Sequence, residues 1–146
     1  MPDLRLQARL LPAHSAHAHT SVTPVLLLGL RQDVLLDGNE LFKEFKGALT
    51  EQYVLQQLET IKGLNIYYWT ADRGTAEVDF VIDNGKEVIP VEVKAEVNLQ
   101  AKSLKVYREK FQPQLSIRTS MADYKKEDWL LNLPLWAVDS ILRCEV

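Results

Sequence analysis

The feature that most constrains the fold is an Asn84-Gly85 dipeptide between two alternating apolar runs, in the stretch EVDFVIDNGKEVIPVEVK. Both residues tolerate a positive φ, and such a dipeptide between alternating runs is a strong signal for a two-residue β-hairpin turn. A loop of two residues pairs Asp83 with Lys86 and thereby fixes every other pair along the ladder. The stretch is therefore predicted to form a tight antiparallel hairpin.

Charged residues gather on one face of this predicted hairpin. Asp79 faces Pro90 and Glu77 faces Glu92, and alternation puts Lys94 on the same side. Asp79 and Glu92 are then diagonal neighbours with backbones roughly 7 to 8 Å apart, close enough for two carboxylates to reach one cation. The hairpin thus predicts a candidate metal site on its charged face.

The opposite face of the hairpin is apolar and is predicted to form core. A half-exposed antiparallel sheet has the same pattern, so a merely solvated charged face stays open as an alternative. Val81 lies opposite Val88 on the charged side, which favours partial cover, and neighbouring like charges favour a compensating cation. The residues predicted to face the core are Val78, Phe80, Ile82, Ile89, Val91 and Val93.

Helical and strand-like patterns alternate along the rest of the chain. Apolar residues recur with helical spacing over 40–61 and 99–111, and Gly63 is predicted to end the first helix. The order αβββαβ predicts one α/β domain, a mixed sheet with flanking helices. Strand-like runs occupy 65–70, 76–83, 87–94 and 114–119, and a last apolar stretch, 133–142, is a candidate edge strand.

The length of 146 residues suits one sizeable core. Residues 1–23 have no sustained period and are predicted to be a mostly disordered tail, 24–40 a linker or the remnant of a preceding domain, and 41–146 the folded domain. The single cysteine, Cys144, excludes an internal disulfide and favours a reducing compartment. The longest apolar run is far too short to span a bilayer, and no signal peptide is evident, so a cytoplasmic protein without a membrane partner is expected.

Glu51 is a second candidate, because it lies inside the apolar arc of the first predicted helix and points toward the sheet. A buried carboxylate is costly unless it is paired. A glutamate at the rim of the arc that reaches water or a lysine is an equal alternative. The apolar residues one or two turns away on the same arc are Ala48, Val54, Leu55 and Leu58.

These groups suit metal-assisted phosphodiester hydrolysis. Mg²⁺ prefers oxygen ligands and usually keeps several waters, so Asp79 and Glu92 could supply two ligands. Lys94 follows Glu92 on the same face and could hold an attacking water or contact the phosphate. An Asp followed thirteen residues later by Glu-x-Lys, with an upstream helical Glu51, resembles the PD-(D/E)xK nuclease superfamily.

The resemblance implies a restriction-endonuclease-like core of order αβββαβ and a metal held by the acidic residues. The matching positions are Glu51, Asp79, Glu92 and Lys94, while Val78 stands where the superfamily's motif has proline. More narrowly, the segments GALTEQYVLQQL, YYWTADRGTAEVDFVI, IPVEVKAE and SLKVYREKF resemble the C-terminal domain of unknown function carried by many bacterial and archaeal P-loop ATPase-like proteins.

The function expected from this resemblance is Mg²⁺-dependent phosphodiester hydrolysis or nucleic-acid binding. No G-x-x-x-x-G-K-[ST] motif occurs in the chain, so ATP hydrolysis is not expected. Two alternatives remain open. The chain is either a non-catalytic interaction or regulatory module that partners an ATPase domain or another protein, or an inactive truncated remnant.

Charge is distributed unevenly, although the formal net charge is only −3. Residues 40–93 hold ten acidic and five basic side chains, whereas 94–126 hold eight basic and three acidic ones. Lys102, Lys105 and Arg108 recur along the second predicted helix and form a candidate nucleic-acid contact. An ordinary solvated helix face is the alternative.

Overall fold

The computed structural model describes residues 11–12, 40–95 and 100–143, which form one mixed sheet with a helix on each face. The helices are α1 (Glu40–Glu59) and α2 (Lys102–Phe111), and two 3-10 segments span Asp72–Gly74 and Leu135–Arg143. The strands are β1 (Leu11–Pro12), β2 (Asn65–Thr70), β3 (Glu77–Asp83), β4 (Val88–Val93), β5 (Ser116–Ser120), β6 (Lys125–Lys126) and β7 (Leu130–Pro134).

The sheet has the strand order β1-β2-β3-β4-β5-β7-β6. Strands β1 to β4 are successively antiparallel, β4, β5 and β7 run parallel, and β6 is antiparallel to β7. The crossover from β4 to β5 contains α2, as a parallel connection requires. The predicted α/β class, with a mixed sheet and flanking helices, is therefore confirmed for the described residues.

The last predicted strand was misplaced. The strand is β7, which begins at Leu130 and lies between β5 and β6, so it is not an edge strand. Pro134 has no N–H to continue the ladder, and the chain turns into the 3-10 segment there. The apolar residues beyond Pro134 follow helical rather than alternating spacing, since Ala137, Val138 and Ile141 are the buried ones.

The N-terminal expectations fall largely outside the described residues. Leu11 and Pro12, which were assigned to a disordered tail, pair with Tyr68 and Tyr67 at the edge of β2. The rest of that tail lies outside the described residues. The same holds for the predicted linker up to Glu40, where α1 begins.

Two apolar clusters pack on the two faces of the sheet. The first lies under α1, whose Val54, Leu55 and Leu58 contact inward residues of the strands. The second lies under α2, whose Leu104 and Tyr107 contact Trp69 and neighbouring residues. The side of the hairpin on which Val81 and Val88 were predicted to be partly covered is therefore the side that α2 covers.

The hairpin between β3 and β4 has a longer turn than predicted. Its pairs run from Phe80 with Val91 to Asp83 with Val88, a register two residues away from the predicted one. The reason is local side-chain hydrogen bonding, which competes with a two-residue turn. Asn84 Oδ1 accepts from the backbone N–H groups of Lys86 and Glu87, at 2.9 and 2.8 Å, and so holds a four-residue loop.

A β-bulge interrupts β3 on its other edge. Tyr67 pairs with Val81 and Trp69 with Val78, so β3 has one more residue than β2 between these two pairs. Asp79 and Phe80 therefore share the single partner position of Tyr68. The extra residue moves Val78 to the α2 side, so the prediction that Val78 shares a face with Phe80 was wrong.

Candidate functional site

The candidate site lies where β3 and β4 separate. Their ladder stops at the pair Phe80 and Val91, although β3 reaches back to Glu77 and β4 continues to Val93. Asp79 fills the gap, because its Oδ2 accepts a hydrogen bond of 2.6 Å from the Val93 N–H. A side-chain carboxylate thus takes the place that a backbone carbonyl would have in a continued ladder.

The observed register changes which residue of β4 comes next to Asp79. Continued by one residue beyond Phe80, it would set Asp79 across from Glu92, whereas the predicted register made them diagonal neighbours, but the paired ladder ends before this position. The observed register differs from the predicted one by an even number of residues, so the residues of β4 keep their predicted faces. The Glu92 side chain therefore still projects from the face opposite to that of Val91 and Val93.

Asp79 has an unusual acidity. Its pKa is raised from 3.8 to about 7, first by burial and then by the neighbouring carboxylates Glu51 and Glu92, while the Val93 hydrogen bond and Lys94 act in the opposite direction. Its proton is therefore exchanged near neutral pH. Such a carboxyl group in a cluster of like charges is typical of a functional site, although structural networks also produce it.

Glu92 and Lys94 form an ion pair at the same place. Lys94 Nζ lies 2.7 Å from Glu92 Oε1. Glu92 is only 4% exposed, and its second oxygen, Oε2, is buried without a hydrogen-bond partner. An unsatisfied buried carboxylate oxygen is costly, so it is an available ligand position. The Lys94 side chain is 37% exposed and therefore reaches solvent.

Glu51 approaches this cluster from α1. The pKa of Glu51 is raised, first by burial of its carboxyl group and also by Glu77, whereas Lys94 lowers it. The residue as a whole remains exposed, so Glu51 stands at the rim of the apolar arc rather than inside the core. The structure therefore brings Glu51, Asp79 and Lys94 within electrostatic reach of one another, and Glu92, the fourth predicted catalytic residue, interacts with Asp79 and Lys94.

Tyr68 is a member of this cluster that the sequence did not assign to it. Its pKa is raised to about 12, first by burial and then by Glu51, Glu59 and Asp79, so its hydroxyl stays protonated at neutral pH. Its ring packs on Phe80, with 5.5 Å between the centroids. Tyr68 joins the cluster because it lies opposite the β-bulge of β3, and no residue pattern in the sequence reveals that bulge. Trp69, in contrast, is buried against α2 and is core.

The three predicted nucleic-acid contacts on α2 are separated by the structure. Lys102 and Lys105 are exposed and line a cavity of about 410 Å³ between α2 and the strands. Arg108 instead lies over the Trp129 ring, with its Cζ 5.1 Å from the ring centroid. The cavity also contains Arg118, a buried residue of β5 that the sequence analysis did not single out.

Asp79 and Glu92 are the two side chains of the cluster that could hold a divalent cation. Within the described residues, no group of three or more His, Cys, Asp or Glu side chains is arranged to enclose a metal ion. Mg²⁺, however, is usually held by one or two carboxylates with waters and substrate oxygens completing its shell. The unpartnered Glu92 Oε2 and the crowded Asp79 are the positions where such a cation would relieve an unfavourable contact.

Fold and site together define a mixed α/β domain with an acidic cluster and one lysine at the point where two antiparallel strands separate. Residues 46–138 match the family model described as Domain of unknown function (DUF4143). The match covers more than half of the chain, which therefore belongs to this family. No curated protein and no solved structure matches the chain. No helix among the described residues is long and apolar enough to cross a membrane.

Proposed function

We propose that the chain is a nuclease-like domain of the PD-(D/E)xK type that hydrolyses phosphodiester bonds with a divalent cation such as Mg²⁺. The proposal rests on one observation: Asp79, Glu92 and Lys94 meet at the separated strands, and Glu92 Oε2 is buried there without a partner. The order α1, β2, β3, β4, α2, β5 is the order of the restriction-endonuclease-like core, which supports the same proposal.

Each residue has a separate role in this proposal. Asp79 and Glu92 would hold the cation, and Glu51 would hold or orient a water at its edge. When bound, the cation supplies polarisation of a phosphoryl oxygen and activation of water. Lys94 reaches solvent from its contact with Glu92, so its ammonium group can contact the phosphate under attack. The basic residues Lys102, Lys105 and Arg108 would contact the strand beyond the cleaved bond.

The proposal is tested by measuring metal binding and cleavage with the same proteins. Isothermal titration of Mn²⁺ or Mg²⁺ should give a saturable heat with the wild type and none with Asp79→Asn or Glu92→Gln. Labelled single-stranded and double-stranded DNA and RNA should be cleaved only with metal, and only by the wild type. The matched control is Asp83→Asn, which makes the same change at the other end of β3 and should bind metal and cleave normally. A wild type that neither binds metal nor cleaves any of these substrates would overturn the proposal.

A second candidate function, a protein-interaction module, is favoured by an exposed apolar surface. This surface, formed by Leu49, Tyr53, Met121 and Trp136, borders a groove of about 500 Å³, and Trp136 is 79% exposed. Exposed apolar patches of this kind often mark contacts with other proteins. The candidate partner is an ATPase module or another protein.

A pull-down from native extract separates this second candidate from the first. The variant Met121→Ser/Trp136→Ser should lose a partner that the wild type retains, while Asp79→Asn should keep it. Equal retention by wild type and the Met121→Ser/Trp136→Ser variant would contradict the interaction surface.

A further inference from the structure

We propose that the cavity between α2, β5 and β7 binds one phosphate group of a nucleic-acid strand, as a discrete subsite beside the acidic cluster. The cavity has a volume of about 410 Å³ and is lined by Arg118, Lys102 and Lys105 among others. The inference rests on the proposed function in one respect, since the phosphate belongs to the strand whose phosphodiester bond is cut. The cavity itself is argued from its own residues.

Arg118 lines this cavity and is held in place by its neighbours. The residue is only 2% exposed, yet it borders the open volume. Its Nε donates a 3.0 Å hydrogen bond to Asn132 Oδ1, and Asn132 is itself fixed by donating to the backbone carbonyls of Ala122 and Asp123, at 3.2 and 2.8 Å. The plane of the guanidinium group is therefore set before any ligand arrives. A fixed guanidinium fork matches the geometry of a phosphate better than a mobile ammonium group does.

The charge of the cavity is positive. Arg118, Lys102 and Lys105 contribute three cations, whereas Glu127 is the carboxylate on the same wall. Glu127 forms an ion pair with Lys125, whose Nζ lies 2.9 Å from its Oε1, and it also interacts electrostatically with Arg118. The two lysines are exposed at the mouth and Arg118 is buried, so an anion that enters the cavity meets three cations and one carboxylate. This excess of positive charge favours a phosphate over a neutral ligand.

The position of the cavity ties it to the acidic cluster. Arg118 on β5 is the register partner of Glu92 on β4, so their side chains project from the same face of the sheet. Neighbouring strands are about 4.8 Å apart. A nucleic-acid strand advances roughly 3.4 Å along its axis per nucleotide. Because Arg118 and Glu92 lie on adjacent strands and on one face, a single nucleic-acid strand can reach both the cavity and the acidic cluster.

The test measures oligonucleotide affinity of the full chain without divalent metal, so that binding is separated from cleavage. Fluorescence anisotropy with a labelled single-stranded oligonucleotide compares Lys102→Gln/Lys105→Gln with the matched control Lys62→Gln/Lys86→Gln. Both pairs remove two exposed lysines, but the control pair lies outside the cavity. The cavity variant should raise the Kd about 10-fold and reduce the slope of log Kd against log salt by about 1 to 2 units. Equal weakening by the two variants would overturn the subsite.

Three forms of the same oligonucleotide identify the source of the phosphate. They carry a 5′-phosphate, a 3′-phosphate or only hydroxyl ends. A preference for one phosphorylated end that disappears in Lys102→Gln/Lys105→Gln assigns the cavity to a terminal phosphate. Equal affinity for all three forms, with the same loss in the variant, assigns it to an internal phosphodiester.

Arg118→Lys is a further variant, which keeps the positive charge but loses the planar guanidinium group. Its Kd should also rise about 10-fold, and its circular dichroism spectrum must match the wild type for this result to count. If Arg118→Lys fails to fold, the lysine pair alone decides, because both lysines are exposed. An Arg118→Lys protein that folds and binds like the wild type would contradict a role for the fork.

The subsite and the proposed nuclease activity can fail independently. If the wild type never cleaves but its affinity depends on Lys102 and Lys105, the subsite stands and the proposed function falls. If the wild type cleaves with metal through Asp79, but the lysine pair binds and cleaves normally, the subsite falls together with the proposed strand contacts of Lys102 and Lys105, while metal-dependent cleavage at Asp79 and Glu92 stands.

Discussion

The two ends of the β3–β4 hairpin use the same residue types in opposite ways. At the turn, Asp83 Oδ1 accepts from the Gly85 N–H at 2.7 Å, and Asn84 Oδ1 accepts from Lys86 and Glu87. At the open end, Asp79 is half-buried beside other acids, and Glu92 keeps one oxygen without a partner. The turn end is satisfied locally, whereas the open end contains unfavourable contacts that a ligand could relieve.

The surroundings of a carboxylate distinguish a structural one from a candidate catalytic one on the same strand. Both Asp79 and Asp83 accept a backbone N–H, so a hydrogen bond alone does not separate them. The two residues differ in their neighbours, because Asp79 interacts electrostatically with Glu51, Glu92 and Lys94.

The largest effect is expected from the two lysines at opposite ends of the hairpin. Lys94→Met removes the ammonium group that pairs with Glu92 and should lower metal-dependent cleavage by about 100-fold or more. Lys86→Met makes the same change in the exposed turn and should leave the rate within about 2-fold. A nuclease assay with both purified variants measures the contrast, and equal rates for the two variants would remove Lys94 from the site.

The next effect concerns stability and pH. The pKa of Asp79 is raised to about 7 in the folded protein, against about 3.9 for an unfolded aspartate. The folded state therefore binds this proton more tightly. The resulting stabilisation is complete below about pH 4 and is lost as the pH rises through about 7.

Asp79→Asn keeps an acceptor for the Val93 N–H and removes the charge. We expect it to increase the free energy of unfolding by a few kcal/mol at pH 8, with a gain that shrinks toward zero at pH 4. Urea denaturation across this pH range measures the difference. Asp83→Asn serves as the control and should show no such gain, and an Asp79→Asn protein less stable than wild type at pH 8 would show that its hydrogen bond dominates.

A smaller loss is expected at the turn. Asn84→Ala removes the acceptor of two backbone N–H groups and should destabilise the fold by about 1 to 2 kcal/mol. Asn84→Asp keeps an acceptor oxygen and should recover most of the loss. Chemical denaturation measures both variants, and a neutral Asn84→Ala would mean that the four-residue loop does not depend on this side chain.

The smallest effect is expected at Gly85. Its φ is +82°, a conformation that costs a residue with a Cβ atom about 1 kcal/mol, and no neighbouring atom lies within 4 Å of an added Cβ. Gly85→Ala should therefore destabilise by about that amount through backbone strain alone, as thermal unfolding would show. Lys86→Ala next to it is the control and should be nearly neutral.

Much of the fold follows from the sequence, because local patterns determine local elements. The strand at 65–70 has the predicted bounds, and α1 and α2 lie within their predicted ranges. The hairpin register did not follow, since the Asn84 side chain holds a longer loop than the dipeptide favours. The edge assignment at 133–142 failed because alternation does not say which neighbour a strand will have.

The candidate site was predictable in its residues but not in its geometry. Glu51, Asp79, Glu92 and Lys94 follow from face and spacing, and the two-residue error in register kept the faces of β4 intact. Arg118 was missed, although an arginine flanked by Ile117 and Thr119 inside a strand buried along its whole length is a usable signal. Tyr68 depends on the bulge, which is a tertiary feature.

The extra residue of β3 makes the site depend on chain length as well as on side-chain identity. A deletion of one residue between Val78 and Val81 would remove the β-bulge, so that β2 and β3 pair residue for residue. Every charged group named above could survive such a deletion, yet Glu77 would turn to the other side of the sheet and the carboxylate of residue 79 would lose its place at the Val93 N–H. Among relatives of this chain, the spacing around this point is therefore as informative as the acidic residues themselves.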